Sequence, residues 1–464
     1  MKRNSGVIIL AGLLTSTHVF ATMTPEFERG DKIIHHMSPR GVQEVCVIPA
    51  KYPETKYSKK DLKKELELCN TSFYTITEEQ AAAGMQSSAL CAKTSSTNPA
   101  INIYEIDESK KQTKESLEAN ACEGAGKIGK YKNSTSCSYT PSIIGYYHVS
   151  RILGGVGRVP VSVLRSMDIE THKKLAEDGL SNTKTGDLIN QTWSGLDGIL
   201  NAGLASSRKD LLLSDDGQQS YGAFIVNPKK EEFYKALFNT GPDRAVAFRD
   251  NNALFRLVRD ARPLDKIVGS EWNQANVQKL FAMRDITEFI LLDHILDQQD
   301  RFGNIAMQGR QAYMAKDKAE DTKFELNLEA DLKDFEKEKT AGLVDLSRAP
   351  LAINSMILKD NDCGVSKTNV VKQAQLLKYI AHMESKTYKK LLEFQASVIN
   401  NLKFFTSNLM FTATDYKEMV ANVNDAVSIL KNNCLNGSLK LDLDVEHYLE
   451  TGSLKIGSCE LEAK

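Results

Sequence analysis

Apolar and polar positions change rhythm along the chain, and the changes predict its elements. Residues 6–14 form an unbroken apolar run between Lys2-Arg3 and Val19-Phe20-Ala21. Over 22–88 the apolar positions are scattered, with charged helices predicted at 59–69 (KKDLKKELELC) and 78–83. Alternation at 101–104 (INIY) predicts a strand. The charged stretch 109–120 reads as a loop or surface helix. Residues 124–132 (GAGKIGKYK) lead into an apolar helix over 143–153, and as a strand they put Ile128, Lys130 and Lys132 on one face. Residues 159–164 read as extended. Residues 210–226 give the clearest hairpin signal, with LLLS and YGAFIV flanking Asp215-Asp216-Gly217. After Pro228 the strand signal fades. Helical spacing then predicts helices over 231–238, 250–260, 273–283, 286–297, 371–382 and 386–405. The charged segment 315–340 interrupts them as a solvated insertion.

A strand-containing half followed by a helical half predicts an α+β fold with two unequal lobes. The boundaries read as an N-terminal extension at 22–88, a small mixed lobe at 89–228 and a larger helical lobe at 229–464. Lys plus Arg number 59 against 60 Asp plus Glu, a net charge of −1, which excludes nucleic-acid binding through bulk positive charge. The 41% hydrophobic and 26% charged fractions exclude a disordered chain. The first 21 residues have the charged, apolar and small-residue order of a signal peptide, with cleavage expected after Ala21. No later apolar run is long enough to span a membrane. The expected location is secreted or periplasmic. All eight cysteines lie beyond the signal, an even number that fits disulfides in an oxidising compartment. Sequence proximity suggests Cys46–Cys69, Cys122–Cys137 and Cys434–Cys459. No cysteines sit at CxxC spacing, and GxSxG, HExxH and Walker A patterns do not occur.

Two segments carry candidate chemistry. In 291–305 (LLDHILDQQDRFGNI) an apolar helix runs into Asp300-Arg301, with Asn304 following a glycine. In 358–367 (LKDNDCGVSK) an Asp-Asn-Asp cluster follows an apolar run. One carboxylate on a tight loop can orient a hydroxyl nucleophile. A second, helped by an Asn, can hold a divalent cation that bridges phosphates.

Together these segments resemble a known group. Asp300-Arg301-Phe302-Gly303-Asn304 is similar to the DRHxxN catalytic loop of atypical kinases: the secretory-pathway kinases of the Golgi casein-kinase and four-jointed type, the spore-coat kinases and the phosphatidylinositol kinases. Leu358-Lys359-Asp360-Asn361-Asp362-Cys363-Gly364 resembles the LDNG metal-binding loop of the secretory kinases. Tyr147 to Gly154, followed by Arg158-Val159-Pro160, resembles their FHLDRILG…RVPP segment. The matches fall in the family's order within 89–410.

The resemblance implies an atypical protein-kinase-like fold and transfer of the γ-phosphoryl of ATP, with Mg or Mn, to a hydroxyl on a protein, sugar or lipid. It implies Asp300 as the catalytic aspartate, Asn304 as a metal or phosphate contact, Asp360 as the metal ligand and a strand lysine as the phosphate clamp. Lys130 is the chosen clamp, with Lys127 and Lys132 open alternatives. Asp345 competes for the metal role. The chain departs from the pattern in three ways. Phe302 replaces the loop histidine, the loop is one residue shorter, and the helix glutamate that pairs with the clamp lysine would fall near the apolar Ile143. A degenerate site of this kind gives the alternative: a disulfide-stabilised pseudokinase or scaffold.

Overall fold

The computed structural model describes residues 32–240, 243–269, 271, 273–316, 323–328, 332–347, 349–451 and 453–460. The expected signal peptide lies outside the described residues.

The first half builds an eight-stranded sheet from β1 (Lys32–Met37), β2 (Gln43–Ile48), β3 (Thr71–Ser72), β4 (Gln86–Ala92), β5 (Ile101–Glu105), β6 (Lys127–Asn133), β7 (Ser162–Asp168) and β8 (Gln219–Val226), in the order β1-β2-β7-β8-β6-β5-β4-β3. The segment expected as an extension therefore supplies β1, β2, β3 and the start of β4. Neighbours are antiparallel except β3 and β4. Two glycines let β6 lie flush against β8. A Cβ on Gly129 would stand 2.4 Å from the Ile225 carbonyl oxygen, and one on Gly222 2.4 Å from that of Lys132. The helix Thr140–Ile152 begins with Pro141 in its first turn and is buried along nearly its whole length.

The expected hairpin over 210–226 is half right. Its second arm is β8, but its first arm is a helical turn, Lys209–Leu212, joined to β8 only by a bridge from Leu213 to Ser220. Both edges of β8 are already taken by β6 and β7, so a hairpin partner has no edge to occupy.

The second half holds strands that its helical texture hid. β10 (Ala306–Ala315) is central; β9 (Glu231–Phe233), β11 (Lys323–Leu328), β12 (Val344–Asp345) and β13 (Leu351–Ile357) all pair with it antiparallel. The helix expected at 231–238 is thus a strand followed by a 3-10 turn. The insertion expected at 315–340 contains β11 and the helix Leu332–Thr340. The helices expected at 273–283 and 286–297 are one helix, Gln274–Ile295, buried throughout from Leu280. Arg284 and Asp285 fall between the two expected helices, and Asp285 is buried and bonded inside the single helix. It accepts from Arg158 at 3.1 Å and from the Met356 amide at 2.7 Å.

Four disulfides close the structure: Cys46–Cys69, Cys91–Cys122, Cys137–Cys363 and Cys434–Cys459. The expected Cys122–Cys137 bridge does not form. Cys122 is bridged to Cys91 and Cys137 to Cys363, and the seven-residue strand β6 lies between the two in sequence. One continuous apolar cluster, from Val45 to Leu449, joins the two halves. No helix among the described residues is long and apolar enough to cross a membrane.

Candidate functional site

The site begins with the lysines of β6. Across from them, the chain leaves β13 at Ile357 and enters a tight loop. Asp360 adopts a left-handed conformation (φ 53°, ψ 50°), which short polar residues tolerate, and a 3-10 turn, Asn361–Cys363, follows. This turn is fastened to the segment between β6 and the helix Thr140–Ile152. The Tyr139 amide donates to the Asp362 carbonyl at 2.8 Å, the Ser142 hydroxyl donates to the Asn361 carbonyl at 2.5 Å, and Cys363 is bridged to Cys137. The lysines and the carboxylates are thereby held by the same short stretch of chain.

The two sets meet. Lys130 Nζ lies 3.4 Å and Lys132 Nζ 3.8 Å from Asp360 Oδ1, while Lys132 Nζ donates to Asp362 Oδ2 at 2.8 Å. Lys132 and Asp362 are buried; Lys130 and Asp360 are reached by solvent. Burial alone would raise the Asp360 carboxyl, but Lys130, Lys132 and Lys359 outweigh it and hold it well below the usual carboxylate range. Asp362 is lowered in the same way, Lys132 opposing its burial. Lys93 also faces this cluster. Burial, with the nearby charges of Lys132 and Lys130, brings its ammonium down to about 7. Lys127 is brought down to about 8, by burial and then Lys130. Lys359 is engaged by Glu231.

The second loop follows the long helix Gln274–Ile295. Arg301 is fully buried and joins the two loops. Its Nε and Nη2 donate to Asp293 at 2.7 and 3.0 Å, Nη1 to the Lys359 carbonyl at 2.8 Å, and Nη2 to Asn361 Oδ1 at 2.6 Å. Phe302 packs on Phe248 and Phe289, with ring centroids 5.0 and 6.0 Å away. An apolar anchor thus stands where the resembled family has a histidine. Asp300 is left at the surface, about half exposed. Its carboxylate accepts from Arg244 Nη1 at 3.3 Å and from Asn304 Nδ2 at 3.0 Å. Burial of the rest of the group raises its carboxyl in spite of Arg244.

The structure therefore brings Lys130 and Asp360 into contact, and Asp300 and Asn304 into contact, and Arg301 joins the pairs. Asn304 spends its amide on Asp300 rather than on Asp360. Asp345 lies in β12, where it accepts the Ser347 amide, away from the cleft. Ile143 lines the cleft where the family's glutamate was expected, and the buried lysine takes Asp362 as its partner instead. Sequence reading saw Asp362 in the Asp-Asn-Asp cluster but gave it no role, and it missed Lys93, Asp293 and Arg244. Of these three only Asp293 had a visible signal, as an acid inside the apolar run LLDHIL.

Replacing Arg301 with Met should cost about 3–5 kcal/mol, because Asp293 would be left buried without its charge partner. Urea unfolding measures this. A loss below about 1 kcal/mol would show that the two loops are not held by this residue.

Among the described residues no group of three His, Cys, Asp or Glu could hold a metal alone. The donor set fits a metal that arrives with phosphate. Mg²⁺ is commonly held by one or two carboxylates plus phosphate oxygens, and Asp360 with Asp362 could supply the protein's share. The lysines have the charge to receive the phosphates.

No family model matches the chain, and no characterised protein matches it in sequence. Among solved structures, a Golgi casein kinase with Mn/ADP bound aligns over 80% of each chain at 11% identity and a TM-score of 0.38. A second Golgi casein kinase structure aligns over 81% of this chain and 80% of its own, again at 11% identity and a TM-score of 0.38. A likeness this distant adds no weight to any residue's role, and the site stands on its own geometry.

Proposed function

We propose that the chain is an exported, atypical kinase-like protein that transfers the γ-phosphoryl group of ATP, with Mg²⁺ or Mn²⁺, to a hydroxyl acceptor. The observation that carries this reading is the facing of Lys130 and Lys132 on β6 with Asp360 and Asp362, tied through Arg301 to the loop of Asp300. Lys130 clamps the phosphates and Asp360 is the metal's carboxylate, with Asn304 as the further candidate contact. A bound divalent cation neutralises charge on the transferring group. Asp300 orients the acceptor hydroxyl and takes its proton as the new oxygen–phosphorus bond forms and the nucleoside diphosphate oxygen leaves. The four disulfides support an oxidising compartment.

Nucleotide titration with and without Mn²⁺, followed by thermal unfolding and by labelled-phosphate transfer, tests the proposal. A ligand at one hundred times its dissociation constant stabilises the native state by about 2.7 kcal/mol. Lys93 adds a pH signature. Its ammonium titrates at about 7 in the free protein, and a polyphosphate beside it favours the charged form. Binding above that pH must then take up a proton, so affinity should fall as pH rises from 7 to about 9. Affinity that is flat over this range would remove Lys93 from the phosphate site.

A second reading, a pseudokinase or scaffold, is favoured by the state of the cleft. Its cavity is about 20 Å³, room for little more than a water, and Asp300 is engaged by Arg244. Failure of nucleotide to stabilise the protein under any metal condition would select this reading.

A further inference from the structure

Asp300 lines a cavity of about 340 Å³ whose lining contains none of the cluster's lysines. Its polar lining is Asp243, Arg244, Gln299, Asp300 and Gln373. Val246, Phe302 and Ala374 supply apolar wall. Arg244 is positioned by close approach to the loop, since a Cβ on Gly303 would meet its Nη1 at 2.6 Å.

We propose that this cavity is the acceptor subsite and that its ligand is a sugar ring, presented free or at the end of a glycan. The inference rests on the phosphotransfer reading for the word acceptor; sugar binding itself does not require it.

The first argument is size. The cavity falls within the range of small-molecule sites, about 300–1,000 Å³. A serine or threonine hydroxyl sits one bond beyond Cβ and would leave most of this space to water. A ring bearing several hydroxyls fills it.

The second argument is hydrogen-bond chemistry. Each sugar hydroxyl both donates and accepts. Two carboxylates accept, a guanidinium donates, and two carboxamides do both, so neighbouring hydroxyls can be satisfied in pairs. Val246, exposed at the cavity wall, suits a C–H face of the same ring.

The third argument is charge. Asp243 and Asp300 outnumber Arg244, so an acidic peptide or an anionic lipid headgroup would meet like charge beside the reacting carboxylate. The Arg244–Asp300 pair is itself about half exposed on both sides, and such pairs are readily exchanged for a ligand's hydroxyls.

The test uses the full mature chain without nucleotide, applied to an array of glycans ending in neutral hexoses and N-acetylhexosamines, with uronic acids as the anionic class expected not to bind. Binding of the responding sugar is then quantified by titration. Val246→Trp fills the cavity from a position that is 38% exposed, so the fold can absorb it; Gln373→Ala removes one exposed carboxamide. Wild type should bind at least one class of terminal sugar. Each variant should lose affinity for it tenfold or more, with the nucleotide-dependent shift in melting temperature unchanged. The proposal is overturned if no glycan class binds wild type, or if Val246→Trp binds it as well as wild type does. It is also overturned if a peptide acceptor is phosphorylated equally by wild type and Val246→Trp. Sugar binding that is retained in a protein with no nucleotide response would sink the phosphotransfer reading and leave the sugar site standing.

Discussion

Lys132→Met should unfold the protein under conditions that leave Lys130→Met folded. The two lysines share a strand face and are two residues apart, yet their surroundings differ. The side chains of Lys132 and Asp362 are 4% and 3% exposed, against 13% and 26% for Lys130 and Asp360. Removing one member of a buried pair strands the other charge, at a cost of about 3–5 kcal/mol. A partly exposed pair lets water take over, and its loss costs about 1 kcal/mol or less. Replacing both buried partners, in Lys132→Met with Asp362→Leu, should recover most of the stability, because a packed apolar pair is often as stable as the ion pair it replaces. The pH dependence follows from the two shifts. Asp362 is depressed in the folded protein, so its contribution is present above the unfolded value of 3.8 and is lost as pH falls through and below it. Lys132 is raised, because Asp362 and Asp360 outweigh its burial, so its contribution is present below 10.5 and is lost as pH rises above it. Urea unfolding of the four proteins across this range decides the matter. Equal losses for Lys132→Met and Lys130→Met would mean that the buried pair does not hold the cleft, and Lys132 would return as a candidate phosphate clamp.

This contrast shows where sequence reading reaches and where it stops. Alternation on β6 was enough to put Lys130 and Lys132 on one face, because strand geometry is local. Which of them is buried depends on Asp362, 230 positions away, and no local rule addresses that. The same limit explains the second sheet. β10, β12 and β13 are sustained by pairing across the chain, while the helical spacing around them gave no strand signal. Asp300 and Asp360 were legible because each closes a short motif after an apolar run. Arg244 was not, because it enters the site from a helix more than fifty residues earlier and touches Asp300 only through the fold. Cys363 was visible inside the loop, but its partner Cys137 lies on the far side of 226 residues. Proximity in sequence pointed to Cys122 instead, and that residue is taken by Cys91.

Asp300→Asn and Asp360→Asn should separate transfer from binding. Asp300 touches Arg244 and Asn304 but none of the lysines. Its amide variant keeps an oxygen to accept from Asn304, so the loop should stay in place. Nucleotide affinity should be unchanged, while transfer to the acceptor falls by ~10²–10⁴-fold, the usual worth of a positioned proton acceptor. Because burial raises the Asp300 carboxyl above its ordinary range, wild-type transfer should already decline at a higher pH than an exposed aspartate would give, falling as pH drops and the carboxylate protonates. Asp360→Asn acts on the other half. It removes the carboxylate that holds Lys130 and faces Lys132, so both lysines become more available to phosphate. Metal-free ADP should therefore bind as tightly as to wild type or more tightly, while the enhancement by Mn²⁺ disappears. Titration of ADP with and without Mn²⁺, beside labelled-phosphate transfer, reads all four effects. If Asp360→Asn keeps the full Mn²⁺ enhancement, the metal is held elsewhere. If Asp300→Asn transfers at the wild-type rate, the proton leaves by another route and Asp300 only supports the loop. If wild type binds nucleotide and transfers phosphate to no acceptor, sugars included, the cleft is a nucleotide-binding site without transfer, as the second reading holds.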